Sequence, residues 1–420
     1  MSAVKLFERE LGEYFEDIWK CIRCGFCNSV CPTSNTSQSY MASLTSRGRL
    51  ILLQAYFQNL LSRSLDNEKI QELMEYCFGC RRCLEVCPPG VRIPNLIWRV
   101  KKVNRKRGFL KKAVFTNYGR IEKLFSKFPN LSNLFLHSSI GKTLLEATIG
   151  VTRRIDFPSF NQSLEEWINN KSKPANYRER LAYFIDVFTN YHEVDLGREI
   201  VELLEKLGYL VTAPPQKEAG TLLLEEGLID EAYKVAKENV ESLYESIRNG
   251  GKIITSSPAA YLALKKDYPE LLSDAKSRIV SENTIDVIEL LLKEYKDGVI
   301  DFDHAHENLI MYHHSCFTKA SGLTKSIKEI LESSGYRLKE TDKCCGIGGI
   351  WGINKKHYSL SIEIGSSLFD ELNRINLPVA SQSETCRIQI RNNTLVEVNH
   401  PFLFVKNRVK IDKSRLFSFM

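Results

Sequence analysis

Eight of the twelve cysteines lie in two copies of one motif near the N-terminus, and this motif constrains the chain more than any other feature. Each copy reads C-x2-C-x2-C-x3-C-P, the first beginning at Cys21 and the second at Cys77. Three cysteines on a tight loop can hold three corners of a four-iron cubane, and the fourth, before the proline, reaches the other cluster. The spacing therefore predicts two [4Fe–4S] clusters, one held by Cys21, Cys24, Cys27 and Cys87 and the other by Cys77, Cys80, Cys83 and Cys31.

Two other uses of clustered cysteines fit the motif poorly. A zinc site takes two C-x2-C pairs for each ion, whereas here a triplet with a remote fourth cysteine occurs twice. A disulfide framework is typical of short secreted chains. The first twenty residues contain five acidic side chains and do not form a signal peptide, and no uncharged apolar run reaches the length of about 18 residues needed to span a membrane. We therefore expect a cytoplasmic protein.

The rest of the chain is predicted to form further domains. With 420 residues, 43% of them apolar and 26% charged, the chain is too long for one core and too apolar to be disordered. A net charge of +7 is mild and does not predict a nucleic-acid partner. Apolar runs with strand character alternate with helical runs, which predicts parallel sheets covered by helices. Helices are predicted over 3–20, 48–63, 67–76, 195–207 and 228–248, and strands over 181–185, 209–213 and 252–255 and near 308–313, 378–381 and 395–399.

A second group of cysteines lies near the C-terminus and consists of Cys316, the vicinal pair Cys344-Cys345, and Cys386. Glycines follow the vicinal pair and would let the backbone approach a bulky inorganic group. Four thiolates suffice for one [4Fe–4S] cluster or one zinc ion. Buried free thiols and a Cys344–Cys345 redox pair remain alternatives. The nearby His313 and His314 follow an apolar strand, where a histidine is more often a structural hydrogen-bonding group than a ligand.

With both groups in view, the chain resembles the cysteine-rich "CCG" electron-transfer subunits over nearly its whole length. These are the iron–sulfur subunit of glycolate oxidase and its D-lactate relatives, the C subunit of anaerobic glycerol-3-phosphate dehydrogenase, and the D subunit of heterodisulfide reductase. The resemblance implies an α+β multidomain fold, with a helical two-[4Fe–4S] ferredoxin-like domain followed by two α/β CCG-type domains. The segments that carry it, besides the cysteine motifs, are Ser46-Arg47-Gly48-Arg49-Leu50, Cys87-Pro88-Pro89-Gly90-Val91 and His400-Pro401.

The chain departs from the family pattern at both CCG-type domains. In the last domain, Ser383 stands where a fifth cysteine is expected, so the third centre is a cubane cluster, a non-cubane cluster or zinc on the four cysteines, with Ser383 as a further candidate ligand. In the preceding domain, every expected cysteine is replaced. We expect that domain to be degenerate, free of metal and retained as a packing partner. Its altered positions are Val187, Lys217-Glu218-Ala219-Gly220 and Thr255-Ser256-Ser257-Pro258.

The resemblance also implies a function and a division of the chain. Electrons from an FAD-containing partner would pass to a quinone, a membrane anchor or another carrier, and the isolated chain would lack dehydrogenase activity of its own. The alternative is disulfide reduction at the CCG site. Ser46–Arg49 favours the glycolate/D-lactate type, whereas Ser383–Cys386 favours the glycerol-3-phosphate type. The expected divisions are 1–107 for the ferredoxin-like domain, 108–177 for a helical linker, 178–300 for the degenerate domain and 301–420 for the CCG domain.

A basic stretch over 92–112 leads into an amphipathic, aromatic-rich segment over 108–150. A solvated helix face accounts for such a charge run in most proteins. The same pattern is also compatible with an anionic membrane surface or with docking of a flavoprotein subunit. We therefore expect a cytoplasmic protein with a peripheral position on the inner face of the cell membrane as one alternative.

Overall fold

A computed structural model describes residues 8–34, 36–37, 41–61, 68–103, 109–174, 176–304 and 308–416. It confirms the predicted fold class, because a helical N-terminal module is followed by two α/β units with parallel sheets. None of the helices in these ranges combines the length and the apolar character needed to cross a bilayer.

The N-terminal module consists of short helices around two loops. Its core packs Leu11, Ile18, Leu53, Met74 and Ile97, all nearly or fully buried, beside the cysteines. Its α-helices are Phe26–Ser29, Ser46–Phe57, Glu68–Glu75, Arg82–Glu85 and Ile93–Lys102, and its 3-10 helices are Gly12–Tyr14, Glu16–Ile18, Pro32–Ser34 and Ala42–Leu44.

The single helix predicted over 3–20 is wrong in its described part. Residues 8–11 are helical, but Gly12 adopts a left-handed conformation with φ of +55°, and the chain continues as two 3-10 turns. A left-handed residue cannot continue a right-handed helix, so the apolar periodicity runs across a break. Residues 3–7 lie outside the described part. The helix predicted over 48–63 is confirmed as Ser46–Phe57 and ends earlier than predicted, because residues 58–61 are not helical. The helix predicted over 67–76 is confirmed as Glu68–Glu75, and the predicted residues 62, 63 and 67 lie outside the described part.

Four helices connect the N-terminal module to the first α/β domain. Ser138 ends one of them and caps the next by accepting a hydrogen bond from Gly141 N, and Pro129 occupies the first turn of its helix, where its missing N–H costs nothing. The four helices are Phe109–Thr116, Tyr118–Ser126, Pro129–His137 and Ser139–Thr148, and Leu164–Asn170 follows them.

The first α/β domain contains a four-stranded parallel sheet in the order β2-β1-β3-β4. The strand and helix predictions for this domain are confirmed within a few residues. Its strands are β1 (Glu179–Tyr183), β2 (Tyr209–Thr212), β3 (Lys252–Thr255) and β4 (Thr284–Asp286). Its helices are Val187–Tyr191, Val194–Lys206, Thr221–Glu225, Ile229–Ile247, Pro258–Leu262, Tyr268–Leu272, Ala275–Glu282 and Val287–Lys296, with a π-helical turn over Ala263–Asp267.

The second α/β domain repeats this arrangement with a parallel sheet in the order β7-β6-β8-β9. A short antiparallel ladder of β5 with β10 connects the two domains, and the predicted boundary at 300/301 falls inside β5. The strands are β5 (Ile300–Phe302), β6 (Asn308–His313), β7 (Tyr336–Thr341), β8 (Val379–Ala380), β9 (Val398–Asn399) and β10 (Val409–Ile411). The helices are Cys316–Ser321, Thr324–Ser333, Tyr358–Ile375, Glu384–Asn393 and Pro401–Lys406.

Candidate iron–sulfur sites

The two N-terminal cysteine loops have the same backbone conformation. Arg23 and Gly79, at equivalent positions, have φ of 59° and 68°, and Gly25 and Arg81 have φ of 86° and 62°. Each second left-handed residue is followed at once by a one-turn helix that carries the third cysteine. Alternating left-handed residues turn successive backbone N–H groups towards one concavity, which suits an anionic cluster. The shared conformation explains why the two motifs have identical spacing.

The structure brings Cys21, Cys24, Cys27 and Cys87, hereafter the first set, into one neighbourhood. Burial raises the pKa of Cys27 to about 11, and the negative charges of Cys21, Cys87, Cys31 and Cys24 act in the same direction. Cys87 Sγ also accepts a hydrogen bond of 3.3 Å from Val91 N. Each thiolate raises the pKa of its neighbours, so the four thiols ionise together most easily when a cation lies between them. A bound metal centre supplies that positive charge.

Cys77, Cys80, Cys83 and Cys31 form the second set. Burial raises the pKa of Cys83 well above its usual value, and the charges of Cys80, Cys77 and Cys31 act in the same direction. Cys31, from the other motif, therefore lies close to Cys83, and its assignment as the fourth ligand of this set stays a prediction. Cys31 lies close to both sets, since it also affects Cys27.

A buried arginine stabilises the thiolate of Cys31. Burial acts to raise the pKa of this thiol, but the charge of Arg49 and hydrogen bonds from Ser46 and Thr33 lower it to about 7. Arg49 is 1% exposed, and its Nη2 also donates to Thr33 Oγ1 at 3.3 Å. Arg47 lies against the first loop, where its Nη1 donates to Arg23 O at 3.3 Å. Ser46 also forms a hydrogen bond with Cys83 of the second motif, so the segment Ser46–Arg49 interacts with the cysteines of both motifs.

The third set, Cys316, Cys344, Cys345 and Cys386, lies at the carboxyl ends of three neighbouring strands. Cys316 opens the helix after β6, Cys344 and Cys345 follow β7, and Cys386 lies in the helix after β8. Open parallel sheets bind ligands at this edge. Burial raises the pKa of Cys316 well above its usual value, with Cys386 and Cys344 among the charged neighbours.

Backbone contacts hold the vicinal pair in place. Gly346 has φ of +82°, and a Cβ at this position would lie 2.0 Å from Ser361 O, so no other residue fits. Gly346 N donates to Cys344 Sγ at 3.3 Å. Cys345 Sγ lies 3.1 Å from Cys386 Sγ, and these two thiols must separate before both can bind one metal group. Ser383 is buried, and its Oγ is 3.4 Å from Thr385 Oγ1.

His313 has a structural role, as expected from its position after a strand. Its Nδ1 pairs with Ser381 Oγ and its Nε2 with Lys343 O, both at 3.0 Å. Burial lowers its pKa to about 4, so the ring is neutral. His314 Nε2 lies 3.0 Å from Glu340 Oε2. His313 therefore has no nitrogen left for a metal, and it fixes the segment that leads to Cys344.

The second and third sets are adjacent across the contact between the N-terminal module and the last domain. The charge of Cys344 is one of the causes that raise the pKa of Cys80, after burial and Cys31. Phe78, beside the second set, packs so closely on Gly348 that a Cβ on the glycine would lie 2.4 Å from the ring. Arg82 and Lys319 both pair with Asp342, at 3.4 and 3.0 Å. The glycines after Cys345 thus let the last domain approach the second loop.

The donor groups of the three sets are thiols, which suit iron–sulfur clusters and zinc. Within the ranges that the structure describes, no three His, Cys, Asp or Glu side chains are arranged to hold one metal ion. Zn–S bonds of about 2.3 Å hold sulfurs within about 4 Å of each other, whereas a four-iron cluster spreads its ligands more widely. The first and second sets, each a loop triplet with a fourth cysteine from the other motif, have the spacing typical of a two-cubane module. The third set supplies four thiols and no carboxylate, which fits a cluster or zinc once Cys345 and Cys386 separate.

In the first α/β domain, hydrogen bonds hold the loop that corresponds to the vicinal cysteines. The side chain of Asn239 accepts from Lys217 N at 2.7 Å and donates to Glu218 O at 3.1 Å and Tyr268 Oη at 2.8 Å. Gly119, from a connecting helix, lies so close to Glu218 that a Cβ would approach Oε2 to 2.7 Å. The hydrogen bonds of Asn239 and the helix that contains Gly119 thus fill the space around the altered loop at Lys217 and Glu218.

Sequence reasoning missed two of the residues that shape these sites. Asn239 lies in a helix about twenty residues beyond its loop, with no local signal to connect them. Arg81 is buried in the second loop and pairs with Asp267 of the first α/β domain at 2.7 Å, a contact between distant parts of the sequence. The available signal was the arginine itself, because Arg81 stands where the first motif has Gly25, at a position with a left-handed backbone conformation.

Comparison with known proteins agrees with this arrangement. Residues 17–91 match the model of a 4Fe-4S dicluster domain, and residues 310–391 match that of a cysteine-rich (CCG) domain. The C subunit of anaerobic glycerol-3-phosphate dehydrogenase from Escherichia coli is 28% identical over 393 residues, 91% of this chain and 96% of that one. The probable glycolate oxidase iron-sulfur subunit of Bacillus subtilis is 22% identical over 396 residues, 86% of each chain. The glycolate oxidase iron-sulfur subunit of Escherichia coli is 23% identical, with coverage of 79% and 80%. These matches confirm the resemblance inferred from the cysteine motifs.

Proposed function

We propose that this chain, which carries a 4Fe-4S dicluster domain and a cysteine-rich domain, is the electron-transfer subunit of a flavoprotein dehydrogenase complex. The observation that carries the proposal is the adjacency of the second and third sets across a closely packed contact. Clusters bound at such sites supply one-electron transfer. The first and second sets would each hold one [4Fe–4S] cluster, and the third set would hold a further iron–sulfur cluster.

The chain's own residues position and shield these groups. Left-handed loop residues direct backbone amides inward, and Arg49 and Ser46 favour the charged form of Cys31. Phe78 and Trp351, with ring centroids 4.8 Å apart, exclude water from the contact between the second loop and the last domain. The sequence contains no flavin or nicotinamide fingerprint, so substrate oxidation would take place on the partner subunit.

The partner would be an FAD-containing dehydrogenase of the glycerol-3-phosphate or glycolate type. Identity favours the glycerol-3-phosphate type, since that relative is 28% identical over 91% of the chain, whereas the glycolate relatives reach 22–23%. A quinone or another carrier would be the acceptor, and the complex would lie at the inner face of the cell membrane. The isolated chain would not oxidise either substrate.

Metal analysis of the anaerobically purified chain tests the proposal. We expect about 12 iron and no stoichiometric zinc, from three four-iron centres. About 8 iron would limit the redox centres to the first and second sets and remove the last domain from the electron path. Fewer than about 4 would contradict the proposal as a whole. Reconstitution with the flavoprotein partner and a soluble quinone then measures electron transfer directly.

One contact favours a second candidate for the last domain. Cys345 Sγ and Cys386 Sγ lie 3.1 Å apart, close enough to exchange between dithiol and disulfide. A reversible dithiol at this pair would make the third set a disulfide-exchange site. Thiol titration of the protein before and after mild oxidation, with iron measured on the same sample, separates the two. Loss of two thiols without loss of iron supports the dithiol, and the coupled loss of thiols and iron supports a cluster.

A further inference from the structure

The loop of the first motif carries exposed apolar side chains beside its cysteines. Ile22 is 66% exposed, Phe26 56% and Trp19 44%, and Cys24 is exposed as well. Ile51, on the helix that follows the motif, is also exposed. Scattered exposed apolar residues are ordinary, but a contiguous patch of them marks an interaction site. We call Trp19, Ile22, Phe26 and Ile51 the first-loop surface.

Helix Ser46–Phe57 lies against the first loop and makes this patch contiguous. Arg47 Nη1 donates to Arg23 O at 3.3 Å, and Arg23 Nη2 donates to Gln54 Oε1 at 3.4 Å. Ile51 follows Arg47 by four residues and precedes Gln54 by three, so the three side chains share one face of the helix. Ile51 therefore lies beside the first loop.

The second motif shows how the corresponding position is used when another domain covers it. Phe78 occupies in the second motif the place that Ile22 occupies in the first. Phe78 is 4% exposed, because it packs on Gly348 and its ring centroid lies 4.8 Å from that of Trp351, both in the last domain. The two loops share a backbone conformation, so Ile22 leaves its loop in the same direction as Phe78. The first loop thus presents an apolar side chain where the second loop contacts the domain that carries the third set.

The segments that form the first-loop surface carry only positive charges. Residues 18–65 contain no aspartate or glutamate. Arg23 and Arg47 form no ion pair within the ranges that the structure describes, and their hydrogen bonds go to an amide side chain and a backbone carbonyl. Glu16 is exposed just before this stretch. An apolar surface with unpaired guanidinium groups is complementary to a protein surface that carries carboxylates.

The second loop also contacts its neighbouring domains through charge. Arg82 pairs with Asp342 of the last domain at 3.4 Å, and Arg81 pairs with Asp267 of the first α/β domain at 2.7 Å. Each domain that contacts this loop therefore supplies a carboxylate to one of its arginines. By the same chemistry, the unpaired arginines at the first loop indicate a protein partner with carboxylates.

We propose that the first-loop surface binds the FAD-containing subunit, in the way that the second loop contacts the last domain. Ile22 and Phe26 enter an apolar depression on that subunit, and its carboxylates pair with Arg23 and Arg47. The first set is open to such a partner, since Cys24 is exposed, whereas the last domain covers the second loop. This inference rests on the proposed function and adds to it the surface at which the partner binds.

Biolayer interferometry tests the proposal, with the iron-loaded chain in solution and, on the sensor, the FAD-containing subunit that co-purifies with the affinity-tagged chain. The double change Ile22→Ser with Phe26→Ser should weaken binding at least about tenfold, since two apolar side chains leave the contact. Arg23→Asn, which introduces a residue that tolerates the left-handed conformation, should weaken binding about fivefold at low salt and less at high salt. Leu395→Ser, at a 98% exposed leucine, and Arg248→Gln, in an exposed ion pair, should bind like the parent.

Two further measurements separate a lost contact from a disturbed loop. Each variant should retain the iron content of the parent, measured on the sample used for binding. If the double variant loses iron, Trp19→Ser provides the same test, because this half-exposed side chain precedes the cysteine loop. Amide hydrogens of residues 19–30 should exchange more slowly in the complex than in the free chain.

The possible failures of this proposal and of the proposed function differ. Parent-like binding by the iron-loaded double variant would overturn the docking surface and leave the electron-transfer function intact. If no FAD-containing subunit bound the parent chain, the proposed function would fail, and this inference with it. Self-association of the chain that the double variant abolishes, with unchanged binding of the FAD-containing subunit, would assign the first-loop surface to a second copy.

Discussion

The two α/β domains share a sheet order but differ in what holds the loops at the strand ends. In both sheets the first strand lies between the second and the third, with the fourth at the far edge. The second domain has four thiols at the carboxyl ends of its strands, whereas the first has a valine, a Lys-Glu-Ala-Gly loop and serines. The edge of a parallel sheet therefore offers a place for a site, and the side chains on the loops decide whether one exists.

The serines at the strand ends of the first domain take part in packing contacts. Ser257 Oγ donates to Glu384 Oε1 at 3.3 Å in the second domain, and Ser256 Oγ pairs with Tyr183 Oη at 2.7 Å. The first domain also holds the N-terminal module, through the pair of Arg81 with Asp267. The first domain, which lacks cysteines, therefore contacts both of the modules that carry them.

The largest expected effect is on iron content, and it should occur in only one of the two α/β domains. Cys345→Ala should lower iron from about 12 to about 8 per chain, because the third set loses one of its four thiols. Ala219→Ser, at the corresponding position of the first domain, should leave iron unchanged. Iron and sulfide analysis of both anaerobically purified variants measures this. Full iron in Cys345→Ala would remove the third set as a cluster site.

The second prediction concerns Glu225, through which the first domain reaches the cysteine loops. Its side chain lies against Gly79 and Gly349, and its Oε1 has no hydrogen-bond partner in the described structure. Burial raises its pKa to about 8, although the charges of Lys101 and Arg81 oppose this and those of Glu226 and Asp267 add to it. Between about pH 4.5 and 8, Glu225 is therefore protonated in the folded chain and ionised in the unfolded chain.

Stability should accordingly fall as the pH rises through this window and level off above it. The linked loss for Glu225 is on the order of 5 kcal/mol in the free energy of unfolding. Glu225→Gln should remove this part of the pH dependence and stabilise the protein at about pH 8, as measured by anaerobic urea unfolding. Glu332→Gln, which alters an exposed carboxylate, should keep the parent profile. An unchanged slope in Glu225→Gln would show that Glu225 ionises normally.

The sequence predicts features that depend on neighbouring residues better than features that depend on contacts between residues far apart in the chain. Local spacing predicts how the cysteines group, and apolar runs were enough to locate β1, β3 and β6. Gly12 interrupts a helix despite continued periodicity, because a backbone conformation overrides side-chain pattern. The 3.1 Å contact between Cys345 and Cys386 depends on how two strand-end loops pack, which no local pattern encodes.

The third prediction tests how firmly the two domains depend on each other. Arg387 of the second domain is 2% exposed, and its Nε donates to Glu193 Oε1 of the first at 3.2 Å. Glu193→Gln should lower the free energy of unfolding by about 3 kcal/mol, because the guanidinium stays buried without its counter-charge. Glu245→Gln, in an exposed pair with Arg248, should cost less than about 1 kcal/mol. Equal losses in the two variants would argue against a structural role for the buried pair.

The smallest expected effect concerns the loop of the first domain that corresponds to the vicinal cysteines of the second domain. Asn239→Ala removes the hydrogen bonds to Lys217 N and Glu218 O that hold the loop of the first domain. We expect a loss of about 2 kcal/mol in the free energy of unfolding, since buried backbone groups lose their partners, with no change in iron. Asn283→Ala, which removes one hydrogen bond to a helix carbonyl at an exposed site, should cost about 0.5 kcal/mol. If Asn239→Ala instead released iron, the first domain would act on the cysteine loops and not only on packing, and the two domains would be less independent than their side chains indicate.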